Sequence, residues 1–351
     1  MQFLDSTQPQ QSHFIGIQPT LFDGLLPAPT PKFKPTKTPK FKQNTPNSQQ
    51  KFTQTRLTQS PLNYTGGKFR LLPQILPLFP KNAPLMLDLF CGGASVGINA
   101  NAQKVILNDK SSELVGILRL FQRTPLNELL QGLSRLIAEF KLSNSREFGY
   151  AHYDCNGAVG LSAHNKAGFN ALRAAYNADK DPLKLFALVI YGFNNQLRFN
   201  ARGEFNLPCG KRDFNAKMQD KFTAFVRALQ SREISLENVD FRDFDTSILN
   251  KQSFVYIDPP YLLATASYNE NGAWGEQDER DLYEFMQALH AKGVKFAFSN
   301  VLFHKGKPHS MLEKWLEKCP FLRTHFLNFS YKNCNYHTKR SESNEVLITN
   351  Y

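Results

Sequence analysis

The sequence predicts an α/β fold: an open, doubly wound, Rossmann-like sheet with helices on both faces. Two observations carry the prediction. First, short apolar runs recur and each is cut off by residues that do not extend a strand. Leu85-Met86-Leu87-Asp88-Leu89-Phe90 runs into Cys91-Gly92-Gly93, Val105-Ile106-Leu107-Asn108 ends at Asp109, and Phe254-Val255-Tyr256-Ile257 stops at Asp258-Pro259-Pro260-Tyr261. Second, stretches of helical spacing separate these runs. In open α/β sheets ligands bind where strands end, so these three ends are where chemistry is expected.

Taken in order, the chain opens with about sixty residues rich in Pro, Thr, Gln and Lys, including the near-repeat Pro31-Lys32-Phe33-Lys34-Pro35 and Pro39-Lys40-Phe41-Lys42. Such a segment buries too little apolar surface to offset its ordering entropy, and 1–60 reads as a disordered basic tail. Folding is expected to begin at Pro61-Leu62-Asn63-Tyr64-Thr65-Gly66-Gly67-Lys68, where adjacent glycines allow close backbone approach to a ligand and Lys68 supplies a cation; the same tripeptide also serves in ordinary turns. Leu71, Leu72, Ile75, Leu76 and Phe79 follow at helical spacing, with Pro73 and Pro77 making that helix short or kinked.

The Leu85 run, its glycine turn and an ensuing helix make a general site for a nucleotide-type cofactor, without the strict dinucleotide fingerprint. Asp109 lies about twenty residues beyond Asp88, where a doubly wound sheet sets an acid against ribose hydroxyls; capping the next helix at Ser111 and Ser112 is the alternative. Residues from Thr124 to Ala187 are helical in pattern. From Tyr191 to Arg212 amides, arginines and aromatics interleave with turn glycines. This suits a loop or hairpin that reads base edges while gripping phosphates, with Arg198, Asn200, Arg202, Asn206, Lys211 and Arg212 as candidate contacts. Ile234 to Phe241 is a further strand. Leu282, Phe285, Met286 and Leu289 mark a helix on the sheet. Phe296 to Asn300 and Val346 to Asn350 are the last strands, with a basic, aromatic loop from Tyr331 to Arg340 between them.

Composition narrows the function. The 351 residues allow one large domain or two smaller ones, and the formal charge of +12 with a pI near 9.4 points to a polyanionic partner, most simply nucleic acid. No run of about eighteen apolar residues predicts a membrane span, and no signal-peptide pattern opens the chain, which places it in the cytoplasm. Five cysteines, at 91, 155, 209, 319 and 334, contain no Cys-x-x-Cys pair and are odd in number. They read as reduced thiols rather than a disulfide or zinc framework, and no metal is expected.

The Asp258 loop suits a planar base held by its amino edge. The Asp258 carboxylate and the Pro259 carbonyl can accept both hydrogens of an exocyclic amine, and Tyr261 can stack on the ring. Such bonds favour a pyramidal amine whose lone pair is free to attack. A buried strand ending in a proline turn with a structural tyrosine is the bland alternative.

Four stretches in order resemble the Dam-like family of DNA adenine methyltransferases. Asn63 to Lys68 is similar to the family's N-terminal cofactor motif, Asp88 to Gly93 to its methyl-donor loop, Arg198 to Gly210 to its target-recognition hairpin, and Asp258-Pro259-Pro260-Tyr261 to its catalytic motif. The resemblance covers about Pro61 to Tyr351. It implies a methyltransferase sheet interrupted by a helical and β-hairpin recognition domain: 61–125, then the insert 126–230, then 231–351. It also implies S-adenosylmethionine as donor, held by Tyr64, Lys68, Asp88, Phe90, Gly92, Gly93, Asp109 and Asp258.

The resemblance further implies a target adenine flipped from duplex DNA, catalysis by Asp258, Pro259 and Tyr261, and action as a monomer with no metal. A cognate restriction endonuclease encoded nearby belongs to the same picture. Relatives that read GATC carry a basic residue where this chain has Asn63, and differ at Cys209 and at Lys211-Arg212-Asp213, so GATC is not implied. The alternatives are methylation of an RNA adenine or a cytosine amine, and a non-catalytic DNA-binding protein on the same fold.

Overall fold

The computed structural model describes residues 57–63, 66–263, 274–328 and 343–351. The tail expected before Ser60 lies, through residue 56, outside the described residues, as do Tyr64, Thr65, Cys334 and the expected Tyr331–Arg340 loop.

The apolar runs form one sheet. Its strands are β1 (Ala83–Asp88), β2 (Ala102–Asn108), β3 (Glu233–Glu237), β4 (Phe254–Ile257), β5 (Lys295–His304), β6 (Lys307–Pro308), β7 (Arg323–Phe326) and β8 (Ser343–Thr349). Their order is β3-β2-β1-β4-β5-β8-β7, with β6 paired to β5. The strands from β3 to β5 run parallel, and β8 is antiparallel to both β5 and β7. Sequence order reverses between β1 and β4, and their carboxyl ends carry Asp88 and the Asp258 loop. A crevice at such a switch point is the binding place of doubly wound sheets.

Alternation along each strand divides the core in two. Met86, Val105, Leu107, Phe254, Tyr256 and Ala297 face one side, where α1 (Leu72–Ile75), α2 (Ser112–Arg123), α3 (Leu126–Glu139), α5 (Ser162–Asp179), α6 (Pro182–Tyr191) and α7 (Ala216–Gln230) supply the opposing side chains. Leu87, Ile106, Val255, Ile257, Phe296 and Phe298 face the other, against α8 (Glu276–Ala291) and α9 (Ser310–Lys318). Helices therefore cover both faces, as expected. A short α4 (Ser145–Phe148) lies between α3 and α5.

The helices from α3 to α7 have no core separate from the sheet. Leu129, Phe169, Phe186 and Phe222 belong to the same apolar cluster as Met86 and Val105. Phe121 of α2 meets Phe186 at 4.7 Å and Phe222 at 5.1 Å between ring centroids. Each such ring contributes roughly 1.5–3 kcal/mol through burial, so this block is fastened to the sheet through several large side chains.

Most expected elements stand, with two differences. No α-helix follows the glycine turn: residues Gly97–Asn99 make one 3-10 turn before β2 begins. A Cβ at Gly97 would lie 2.4 Å from Leu107 Cδ2, so the backbone packs closely on β2 where only glycine fits. The strand expected to reach Phe241 ends at Glu237, and Phe241 opens a 3-10 turn instead. The first helical stretch is broken as its prolines require, into 3-10 turns at Lys68–Arg70 and Leu76–Leu78 around α1. Among the described residues no helix is long and apolar enough to cross a membrane, no three metal-ligating side chains cluster, and Cys91, Cys155, Cys209 and Cys319 are free thiols.

Candidate active site

Strand β4 ends because two prolines follow it, and the extended loop they enforce projects Asp258 and Tyr261 beyond the sheet. The Lys68 ammonium lies 2.8 Å from Asp258 Oδ1, with the side chains 4% and 17% exposed, and it also donates to the Gly66 carbonyl at 2.8 Å. It stands 4.8 Å from the centre of the Tyr261 ring. The Tyr261 hydroxyl donates to Asp258 Oδ1 at 3.2 Å and contacts Glu345 Oε2 at 3.5 Å. Two sequence motifs some 190 residues apart thus close on one carboxylate. Asp258 Oδ2 takes no hydrogen bond from any described residue.

The glycine turn lies beside this group, since Leu89 N–H donates to Tyr256 O at the β1–β4 seam. Gly92 adopts φ +48° and donates its N–H to Asp109 Oδ2 at 2.9 Å, and Gly93 is buried. Asp109 Oδ1 accepts from Ser111 N–H, while Ser111 itself caps α2 by accepting from Leu114 N–H. Of the two roles open to Asp109, capping α2 therefore falls to Ser111, and Asp109 fastens the glycine loop. Phe90 is half-buried in an aromatic group, 5.5 Å from Phe241 and 5.7 Å from Trp274.

Asp88 ends β1 and is buried. Its Oδ2 accepts Gly97 N–H at 2.9 Å, and its Oδ1 is buried without a partner. Burial, with lesser help from the Asp258 and Asp109 charges, pushes its pKa up to about 8 despite the Gly97 bond. Burial also raises Asp109, which its two backbone bonds oppose, and raises Asp258, which the Lys68 ammonium opposes. The Tyr261 phenol is pushed well above its ordinary range by burial and then by the charges of Asp258 and Glu345. Burial is the leading cause for all three acids, which share one poorly solvated region.

The Tyr191–Arg212 stretch is a hairpin. Gly192 bridges Cys209, Phe199 bridges Phe205, and Asn200 N–H donates to Glu204 O across the tip. Arg198 clamps it from within, donating to Asn206 Oδ1 at 2.8 Å and Asn206 O at 3.0 Å. Asn200 pairs with the Glu204 carboxylate, and Arg202, exposed, pairs with it as well. Lys211 and Arg212 are exposed at its base, where Arg212 reaches the Tyr150 hydroxyl. The Asn63 amide donates to Asn194 O at 2.7 Å and so ties the hairpin base to the Lys68 segment.

Three participants were not singled out from sequence. Glu345 is a lone acid in the apolar strand β8, which is a usable signal, but its contact with Tyr261 spans 84 residues. Phe193 is a half-exposed aromatic at the hairpin base, set beside Asn194 and Asn195, both with positive φ. Arg232 gave no sequence signal at all. Tyr64 lies outside the described residues.

A sheet of this order brings a glycine turn, an acid after β2 and an Asp-Pro-Pro-Tyr loop together at its switch point, where open α/β sheets bind their ligands. A family model for the D12 class N6 adenine-specific DNA methyltransferases matches residues 64–339, and the chain belongs to that family. It is similar to the Type II methyltransferase M.FokI of Planomicrobium okeanokoites, 40% identical over 299 residues, which cover 84% of this chain and 43% of that protein. It is also similar to the modification methylase StsI of Streptococcus sanguinis, 39% identical with the same coverage. A DNA adenine methylase of Haemophilus influenzae is 26% identical over 221 residues, 62% of this chain and 68% of that protein. The chain spans about two fifths of the length of the first two relatives.

Proposed function

We propose that this protein transfers a methyl group from S-adenosylmethionine to the exocyclic amine of an adenine flipped out of duplex DNA. The observation that carries the reading is the meeting of Lys68, Asp258 and Tyr261 beside the Asp109-anchored glycine turn. The residues suit the donor chemically: the orphaned Asp88 Oδ1 and the raised acids around it fit a cationic ligand, and Lys68 fits its carboxylate. Tyr64, Lys68, Asp88, Phe90, Gly92, Gly93, Asp109 and Asp258 are the residues assigned to hold it, with Asp88 acting through its bond to Gly97. When bound, the donor supplies an electrophilic methyl group on a sulfonium.

The remaining work belongs to this chain's own groups. Asp258 Oδ2 and the Pro259 carbonyl accept the amine hydrogens and aim its lone pair at the methyl carbon. Tyr261 stacks on the base, its hydroxyl pinned by Asp258 and Glu345. As nitrogen gains positive charge, the Asp258 carboxylate stabilises it in a water-poor site. The hairpin, through Arg198, Asn200, Arg202 and Asn206, is assigned to reading bases, and Lys211 and Arg212 to gripping phosphates. The site works from one protomer without a metal, in the cytoplasm, with a cognate restriction endonuclease as the expected genetic companion.

The test is methyl transfer from labelled S-adenosylmethionine to duplex DNA, followed by digestion and identification of the modified nucleoside. N6-methyladenine from the wild type and a loss of at least about a hundredfold in Asp258→Ala are expected. A methylated cytosine, or labelling of structured RNA in preference to DNA, would move the reading to the corresponding amine. Wild-type rates in the Asp258→Ala protein would refute the mechanism.

A further inference from the structure

The turn that replaces the expected helix is held by one guanidinium. Arg232, half-buried between α7 and β3, donates from Nη1 to Gly97 O at 3.1 Å and Ile98 O at 2.6 Å, and from Nη2 to Ala100 O at 2.7 Å and Ala102 O at 3.3 Å. A single 3-10 turn leaves its terminal carbonyls without intrahelical partners, and here Arg232 takes the place of the missing next turn. Gly97 is consequently held on both sides, its N–H by Asp88 Oδ2 and its carbonyl by Arg232. Asn99 adds a third tie, exchanging hydrogen bonds with Thr58 N–H and Thr58 O at 2.8 Å each.

The purpose of such fixation lies upstream in the same loop. Gly92 and Gly93 have no side chains with which to hold their own position. The loop is therefore set by its ends, at Asp109 on one side and at the Gly97 turn on the other. A guanidinium with four carbonyl contacts is suited to this because its planar fork fixes direction as well as distance, which an ammonium on a flexible stem does not.

We propose that Arg232 is the positioning residue of the methyl-donor loop, holding the Gly97 turn so that the Gly92-Gly93 backbone is preset for the donor, and linking that loop to the end of α7. The inference rests on the function proposed above. It assigns no contact with donor or DNA to Arg232: loss of the guanidinium loosens the loop, and donor binding bears the ordering cost.

The experiment measures the affinity of S-adenosylhomocysteine by calorimetry, and KM for donor, KM for duplex DNA and kcat, in wild type, Arg232→Gln and Arg232→Lys. Folding of each variant is checked by thermal unfolding. Arg232→Gln is expected to weaken product affinity and raise donor KM about tenfold, the scale of lost charge-assisted bonds, with DNA KM and saturated kcat within about twofold. Arg232→Lys is expected to fall between the two, and if Arg232→Gln does not fold, the Lys variant decides by the same split. Donor affinity equal to wild type, or donor and DNA constants declining together with thermal stability, would overturn the assignment. A wild-type protein that binds neither S-adenosylhomocysteine nor S-adenosylmethionine would instead remove the functional reading itself.

Discussion

Replacing Asp88 by asparagine tests the electrostatics of the site directly. In the folded chain its carboxyl is pushed from the ordinary 3.8 up to about 8 by burial and by neighbouring acids. Below about pH 4 the group is protonated in both folded and unfolded chains and adds no pH dependence. Above it, the unfolded chain releases the proton while the folded chain keeps it until about pH 8, so stability falls as pH rises through that window. The slope approaches about 1.4 kcal/mol per pH unit, or nearly 3 kcal/mol between pH 5 and pH 7. Asparagine imitates the protonated form, can still accept Gly97 N–H, and carries no such penalty in the unfolded chain. Urea unfolding of donor-free wild type and Asp88→Asn at pH 5, 6 and 7 should show the variant gaining on the wild type by roughly that amount. Asp109 and Asp258 titrate in both proteins and largely cancel in the difference. Curves that run parallel would mean that Asp88 is ionised in the folded protein, and the picture of acids sharing a poorly solvated region would fail.

Lys68→Met should strip Asp258 of its 2.8 Å partner; breaking so buried a pair costs roughly 3–5 kcal/mol, and a loss under about 1 kcal/mol in urea at pH 7 would show the pair to be dispensable. At the hairpin, Arg212→Ala should weaken binding of all duplexes alike and lower the slope of log affinity against log salt by about 1, measured by fluorescence anisotropy. Phe193→Ala, at an exposed ring, should leave stability within about 0.5 kcal/mol while weakening DNA binding in the same assay; unchanged DNA affinity would place that ring outside the interface.

What could be read from the sequence was what is encoded locally. An apolar run cut by Pro259-Pro260, or by Gly92-Gly93, announces a strand end in a few residues, and the ends of β1, β2 and β4 fall within two residues of where those runs stop. The hairpin was legible because Arg198, Asn200, Glu204 and Asn206 are partners at most eight residues apart. In place of the helix expected after the glycine turn stands a single 3-10 turn, bonded by Arg232, 135 residues beyond Gly97, and packed closely on Leu107 of β2. Neither leaves a mark on the local pattern. Nor does the local pattern show that Gly97, nine residues on, claims one oxygen of Asp88.

The same long-range contacts explain why the two halves of the proposed reaction share residues. Lys68 and Asp258, 190 residues apart in sequence, are bonded to each other at 2.8 Å. On the proposed reading, the donor carboxylate draws on Lys68 and the target amine on Asp258, so the two ligands meet at the two partners of one ion pair. A buried carboxylate left without a cation is costly, whereas one that receives the charge developing on an amine at the moment of transfer is not. The raised Asp88 and Asp109 extend this argument. On the same reading, a donor that brings positive charge suits a loop flanked by the buried acids Asp88 and Asp109.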